Sequence, residues 1–232
     1  MIELRPRSEL GRASHGWLDT RHHFSFADYH DPLRMHWGRL RVWNDDRIAP
    51  HSGFPTHPHR DMEIITYVRK GAITHEDSLG NRGRTLAGDV QVMSAGTGIA
   101  HSEFNREDET CELFQIWIYP DRSGLPPSWG TQPFPRGERA GVFVTLASGI
   151  EDDTDVLSIR ADARLVAATL SAGQVAQYPI EEGRKVYLVP ASGRIEVGDV
   201  IASSGDGVAV RDEVLLSVKA LEDSEVVLVD VR

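Results

Sequence analysis

Cysteine is almost absent: Cys111 is the single one among 232 residues. No intrachain disulfide can form, and a reducing compartment is expected. Within CELFQIWIY, Cys111 reads as a small buried hydrophobe. Basic residues are not in excess either. A formal charge of −10 without a dense Lys/Arg run argues against nucleic acid as a partner, because phosphate neutralisation needs clustered cations. Long apolar runs are missing: nothing approaches the ~18 residues a membrane span requires, and MIELRPRSEL lacks the apolar stretch of a secretory signal. A cytoplasmic protein without a membrane partner is expected. Helical periodicity is also lacking, and so is histidine beyond position 101. All ten histidines lie between His15 and His101, which confines any imidazole chemistry to the first half.

What is present is concentrated between residues 57 and 103. FPTHPHRDMEIITYVRKG opens this stretch and GDVQVMSAGTGIAHSEFN closes it. Each end carries two metal-type ligands two residues apart, His57 with His59 and His101 with Glu103. Residues i and i+2 of a strand share a face about 6.5 Å apart, so two such pairs on neighbouring strands can converge on one ion. Three imidazoles and a carboxylate suit Fe, Mn, Ni, Cu or Zn, whereas calcium would want oxygen throughout. Structural zinc sites are closed and thiolate-rich, so a cluster without cysteine points to an open, reactive centre. On a regular strand positions 57, 59, 61 and 63 would all face inward, and Glu63 then competes with Glu103 for the fourth place.

The rest of the chain reads as short strands separated by turns, the pattern of an all-β sandwich or barrel. HFSFADY alternates like a half-buried strand, and GRLRVWNDDRIAP reads as a strand with Leu40, Val42 and Asn44 on one side. In CELFQIWIY, Leu113, Gln115, Trp117 and Tyr119 share one face and Phe114, Ile116 and Ile118 the other. Residues 120–141 hold five prolines and four glycines. They are expected to lack regular structure and to link an N-terminal domain, residues 1–136, to a second β domain, residues 142–232. YVRKGAITHED and GDVQVMS are echoed by YLVPASGRIEVGD and GDGVAVRD, which suggests duplication. The second copy has Gln177-Tyr178-Pro179 where the first has histidines, so the metal site belongs to the N-terminal domain alone.

H-x-H-x3-E-x7-G (His57, His59, Glu63, Gly71) followed by G-x12-H-x3-N (Gly88, His101, Asn105) resembles the two motifs of the cupin superfamily, whose fold is a jelly-roll barrel. FPTHPHRDMEIITYV, HEDSLGN, GDVQVMSAGTGIAHSE, HGWLDTRHHFSFADYHDP and RVWNDD more narrowly resemble the pirin family, and within it the bacterial pirin-like proteins that include quercetin 2,3-dioxygenases. The resemblance implies two tandem cupin barrels, a bicupin, with His57, His59, His101 and Glu103 as ligands of one divalent ion. Fe(II) is the leading assignment, with Mn, Ni, Co, Cu or Zn as alternatives. General cupins use the glutamate of the first motif, here Glu63, and pirins the one matching Glu103. The implied reaction is cleavage of a flavonol heterocycle with O2 and release of CO, the metal acting as Lewis acid and Glu103 serving as ligand or general base. A non-enzymatic metal-binding regulator acting through protein partners, and a cupin enzyme with another small-molecule substrate, are the alternatives.

Other residues are weaker candidates. His15, His22, His23, His30 and His36 are read as locally hydrogen-bonded, with His22 and His23 facing opposite ways. His75 is expected in solvent on a hairpin, Arg60 and Asp61 as a local ion pair, and Trp37, Trp43 and Trp117 as core. Gln115 has the parity to face the cavity.

Overall fold

Strand alternation decides where the side chains of the central sheet go. In the computed structural model, which describes residues 1–232, β11 (Cys111–Ile118) turns Leu113, Gln115 and Trp117 to one side and Phe114, Ile116 and Ile118 to the other. Its sheet has seven strands in the order β12 (Ser128–Gln132), β9 (Val90–Ser94), β6 (Glu63–Lys70), β11, β4 (Leu40–Ile48), β3 (Leu18–His22) and β2 (Gly11–Ser14). A second seven-stranded sheet runs β1 (Ile2–Arg5), β20 (Gly207–Arg211), β17 (Lys185–Ser192), β22 (Ser224–Val231), β15 (Ala163–Leu170), β13 (Val144–Ser148) and β14 (Leu157–Ser158). One 25-residue buried cluster, the largest in the protein, joins the two sheets. It includes Trp43, Tyr67 and Phe114 of the first and Leu165, Tyr187 and Val229 of the second. The β1 strand pairs with β20, so the chain begins in the second sheet before building the first.

Each large sheet is covered on its other side by a four-stranded sheet. The first cover is β5 (Ser52–His59), β10 (Ile99–Asn105), β7 (Ala72–Asp77) and β8 (Arg82–Leu86); the second is β16 (Val175–Pro179), β21 (Leu215–Ala220), β18 (Arg194–Val197) and β19 (Val200–Ser203). The two halves match strand for strand, β9–β6–β11–β4 with β20–β17–β22–β15 and β5–β10–β7–β8 with β16–β21–β18–β19. The sequence echoes fall on equivalent strands, and β16, with Gln177-Tyr178-Pro179, takes the place of β5 with its histidines. The interiors differ. An 18-residue apolar cluster fills the second half, while the first has clusters of only six and four residues, because a cavity occupies the remaining space.

Three sequence expectations need correction. HFSFADY is a loop with one isolated bridge, Phe26 to Tyr29, and Ala27 has a φ of 49°. Phe24 still reaches the core between the sheets and Phe26 the cavity. Leu40 does not share a face with Asn44: the register shifts between Trp117 and Ile118, opposite Val42 and Leu40, and Leu40 joins the core between the sheets. Residues 120–141 do contain regular structure, namely β12 and a 3-10 turn at Arg136–Arg139. SWGTQ is free of proline and forms an edge strand on β9, where a flanking proline breaks no ladder. No helix is long and apolar enough to cross a membrane.

Candidate metal centre

His57 of β5 and His101 of β10 are direct cross-strand partners, and His59 lies two residues along, opposite Ile99. The three rings are mutual neighbours, with centroids 4.5 Å (His57–His101), 4.8 Å (His57–His59) and 5.0 Å (His59–His101) apart. One nitrogen from each lies within 4.8 Å of the others. A register shift follows His101 and leaves Glu103 opposite Phe54. Gly53 makes the shift possible, since a Cβ there would sit 2.2 Å from the Glu103 carbonyl oxygen. On its other edge β10 pairs with β7, setting His101 opposite Asp77 and Glu103 opposite His75. Glu103 thus groups with His101 and His75, sharing His101 with the three-imidazole cluster.

Glu103 is held from the facing sheet. Its Oε1 accepts from Gln91 Nε2 at 2.6 Å and Thr66 Oγ1 at 3.1 Å, and its Oε2 from Gln115 Nε2 at 2.8 Å. Thr85 Oγ1 donates to Gln91 Oε1 at 3.1 Å, which fixes the orientation of that amide. A carboxylate offers about four lone-pair directions, so these three bonds lock the side chain and leave acceptor capacity. Gln115 therefore does face the cavity. Sequence reading missed Gln91 and Thr66; their signal is parity, since both alternate with core residues of β9 and β6.

His59 and His101 are kept neutral, the form a metal requires. Burial, then the neighbouring His101 and His57, brings His59 down to about 4; burial, then His57 and His75, brings His101 down to about 3. The Nδ1–H of His57 donates to the Pro55 carbonyl at 2.7 Å, turning Nε2 away from the backbone. His101 Nε2 is buried with no hydrogen-bond partner, an arrangement that is costly unless something accepts the lone pair. The donor set and this orphaned atom fit a divalent transition ion.

Glu63 is elsewhere. The β5 strand ends at His59, Asp61 takes a left-handed φ of 45°, and Glu63 begins β6 in the other sheet, so the inward parity that tied it to His57 and His59 is broken. Its carboxylate accepts from Ser94 Oγ at 2.6 Å and the Arg160 amide at 3.1 Å, and burial pushes its pKa up against those bonds.

A cavity of about 300 Å³ opens beside the cluster, at the small end of small-molecule sites. Phe26, Phe54, Trp117, Leu18, Ile64 and Pro55 give it apolar walls; Thr20, His22, Asn44 and Asp46 form a polar side. His22 Nδ1 lies 2.8 Å from Asn44 Oδ1. Burial, with Asp45 and Glu103 nearby, pushes Asp46 up to about 7 against the pull of Thr20 and Arg69.

Other expectations divide. His23 turns away from the cavity toward Tyr187, 2.9 Å from its hydroxyl, so the adjacent histidines do face opposite ways; His15, His30 and His36 are outside the cluster. Trp43 is core, but Trp117 lines the cavity and meets His59 edge-on at 5.0 Å. His75 is fully buried rather than in solvent, because β12 covers its hairpin. Asp61 does not pair with Arg60; it accepts from the Gly124 amide at 2.7 Å.

Two stacked jelly-roll sandwiches with a histidine-rich centre in the first define a bicupin. The chain belongs to the pirin family: residues 3–118 match Pirin and residues 145–231 match the quercetinase C-terminal cupin domain. A Pseudomonas aeruginosa relative, named provisionally as a quercetin 2,3-dioxygenase, is 69% identical over 231 residues, the whole of both chains. An Escherichia coli quercetin 2,3-dioxygenase is 42% identical over 231 residues, covering 99% of this chain and 98% of its own. The crystal structure of the bacterial pirin YhhW from Escherichia coli in complex with nickel(II) superposes with a TM-score of 0.93 at 41% identity, covering 100% of this chain and 99% of the other.

Proposed function

We propose that this chain is a metal-dependent dioxygenase that cleaves the heterocycle of flavonols such as quercetin, with His57, His59, His101 and Glu103 as ligands of one divalent transition ion. The observation that carries this reading is the buried, partnerless Nε2 of His101 beside two further imidazoles on the wall of an aromatic-lined cavity. An ion bound there supplies Lewis acidity toward an adjacent hydroxyl and carbonyl and a route for O2 chemistry.

The protein does the rest. Phe26, Phe54 and Trp117 bind the flat aromatic system, and Leu18 and Ile64 exclude water around it. Glu103, held by Gln91, Gln115 and Thr66, keeps one free lone-pair direction, which would bind the ion or, with Glu103 released from it, take the proton of the flavonol hydroxyl as general base. Asn44, Asp46 and His22 are placed to bond ring hydroxyls at the polar side. One O2 is consumed and one CO released, so the organic product gains one oxygen and loses one carbon.

The test is reconstitution of metal-stripped protein with Fe, Mn, Co, Ni or Cu under anaerobic conditions. Quercetin and air are then added while the flavonol spectrum and CO are followed. Turnover with at least one metal, abolished in His101→Ala, is expected. A protein that binds metal yet turns over nothing with any of the five would overturn the enzymatic reading in favour of a metal-binding regulator.

A further inference from the structure

His75 connects the candidate centre to a carboxylate outside it. Its Nε2 lies 3.0 Å from Asp77 Oδ2 and its Nδ1 lies 3.3 Å from His101 Nδ1. We propose that Asp77 and His75 are positioning residues that hold the proton of His101 on Nδ1, so that Nε2 presents a lone pair to the His57–His59 cluster. This inference rests on the reading of His101 as a metal ligand.

Donor counting assigns the protons along this chain of contacts. An ionised carboxylate only accepts, so the short contact at Asp77 requires a proton on His75 Nε2. A neutral imidazole carries one N–H, and His75 Nδ1 is then a lone pair. The contact between the two Nδ1 atoms therefore needs the hydrogen on His101, which leaves its Nε2 unprotonated. That is the atom found buried without a partner. His57 reaches the same tautomer separately, through Nδ1 and the Pro55 carbonyl. The group of His75, His101 and Glu103 is by the same reasoning no second ion site, because its shared residue already spends Nδ1 on His75.

The relay is built rather than incidental. Asp77 accepts from the Leu79 amide at 2.9 Å and the Asn81 amide at 3.1 Å, both to Oδ1, and from Asn81 Nδ2 at 2.9 Å to Oδ2, so the β7–β8 turn fixes its carboxylate. Trp129 of β12 stacks on His75, centroids 4.8 Å apart and planes 11° from parallel. Gly83, the cross-strand partner of His75, leaves room for that indole, since a Cβ at position 83 would lie 2.1 Å from its ring. Supporting partners that fix a ligand's tautomer typically change metal affinity about 10- to 100-fold when removed.

The experiment has two readouts. Long-range 15N–1H NMR of the metal-free protein, with His101 assigned by comparison with His101→Ala, is expected to show the proton on Nδ1; a proton on Nε2 would overturn the proposal without reference to any metal. Nickel affinity, measured by competition with a chromogenic chelator, is expected to fall about 10- to 100-fold in His75→Phe, which keeps a ring against Trp129 but removes the acceptor. In Asp77→Asn the single amide oxygen is taken by the Leu79 and Asn81 amides and the NH2 faces His75, which reverses the tautomers along the relay; affinity is expected to fall there as in Asp77→Leu. Wild-type affinity in His75→Phe sinks the relay, whereas wild-type affinity in His101→Ala sinks the ligand reading beneath it.

Discussion

Gln91 Nε2 donates to Glu103 Oε1 at 2.6 Å, and Gln115 closes the other side of the same carboxylate at 2.8 Å from Oε2. A hydrogen bond to a charged group contributes about 2 kcal/mol, and a buried carboxylate that loses a donor bears the desolvation cost as well. Gln115→Leu, similar in size, is expected to lower stability by about that amount in urea titration. It should also weaken nickel binding by 10-fold or more in chelator competition, as loss of a ligand's support does. An unchanged affinity would mean that Glu103 needs no help to keep its rotamer.

The two buried glutamates should separate cleanly. Glu103→Ala is expected to cut metal affinity by at least about 10-fold. Glu63→Ala should leave affinity unchanged and cost about 1–3 kcal/mol, because the Ser94 hydroxyl and Arg160 amide lose their shared acceptor. Calorimetric nickel titration beside urea unfolding measures both quantities. The reverse pattern would make Glu63, not Glu103, the ligand.

That pair also shows how much the sequence can tell. Parity along an unbroken strand put Glu63 beside His57 and His59, and one left-handed residue, Asp61, sent it to the other sheet. The histidine pairs and the faces of β11 were legible because each depends only on i,i+2 spacing within one strand. His75 was not, because its burial comes from Trp129, 54 positions away and across β12. Asp46 was hidden for a related reason: nothing local distinguishes it from Asp45. Yet alternation along β4 turns Asp46 to the cavity and Asp45 toward Arg7 and Arg69.

Asp46 should make stability depend on pH in an unusual direction for a carboxylate. With its pKa raised from 3.8 to about 7 by burial first, the native state binds this proton more tightly than the unfolded chain does. The contribution is complete below about pH 4 and is lost as pH rises through 7. Asp46→Asn, always neutral, is expected to lose less stability than wild type between pH 4 and 8 in urea titrations of metal-stripped protein. Parallel pH profiles for the two proteins would show that Asp46 titrates normally.

On the far face of the central sheet, Glu225 of β22 joins the halves. It accepts from Arg139 Nη2 at 2.9 Å, Arg136 Nε at 3.0 Å and the Tyr67 hydroxyl. Arg139 is 1% exposed, so Glu225→Leu strands a buried guanidinium, a change expected to cost about 3–5 kcal/mol. The double variant Glu225→Leu/Arg139→Met should recover much of that loss, because an apolar pair can replace a buried ion pair. Tyr67 and Thr66 are adjacent but point to opposite faces, Thr66 toward Glu103 and Tyr67 into the core between the sheets. Nickel affinity should therefore stay at the wild-type value in both variants while urea midpoints move. A fall in affinity that tracks the loss of stability would show instead that packing between the halves sets the geometry of the histidine cluster.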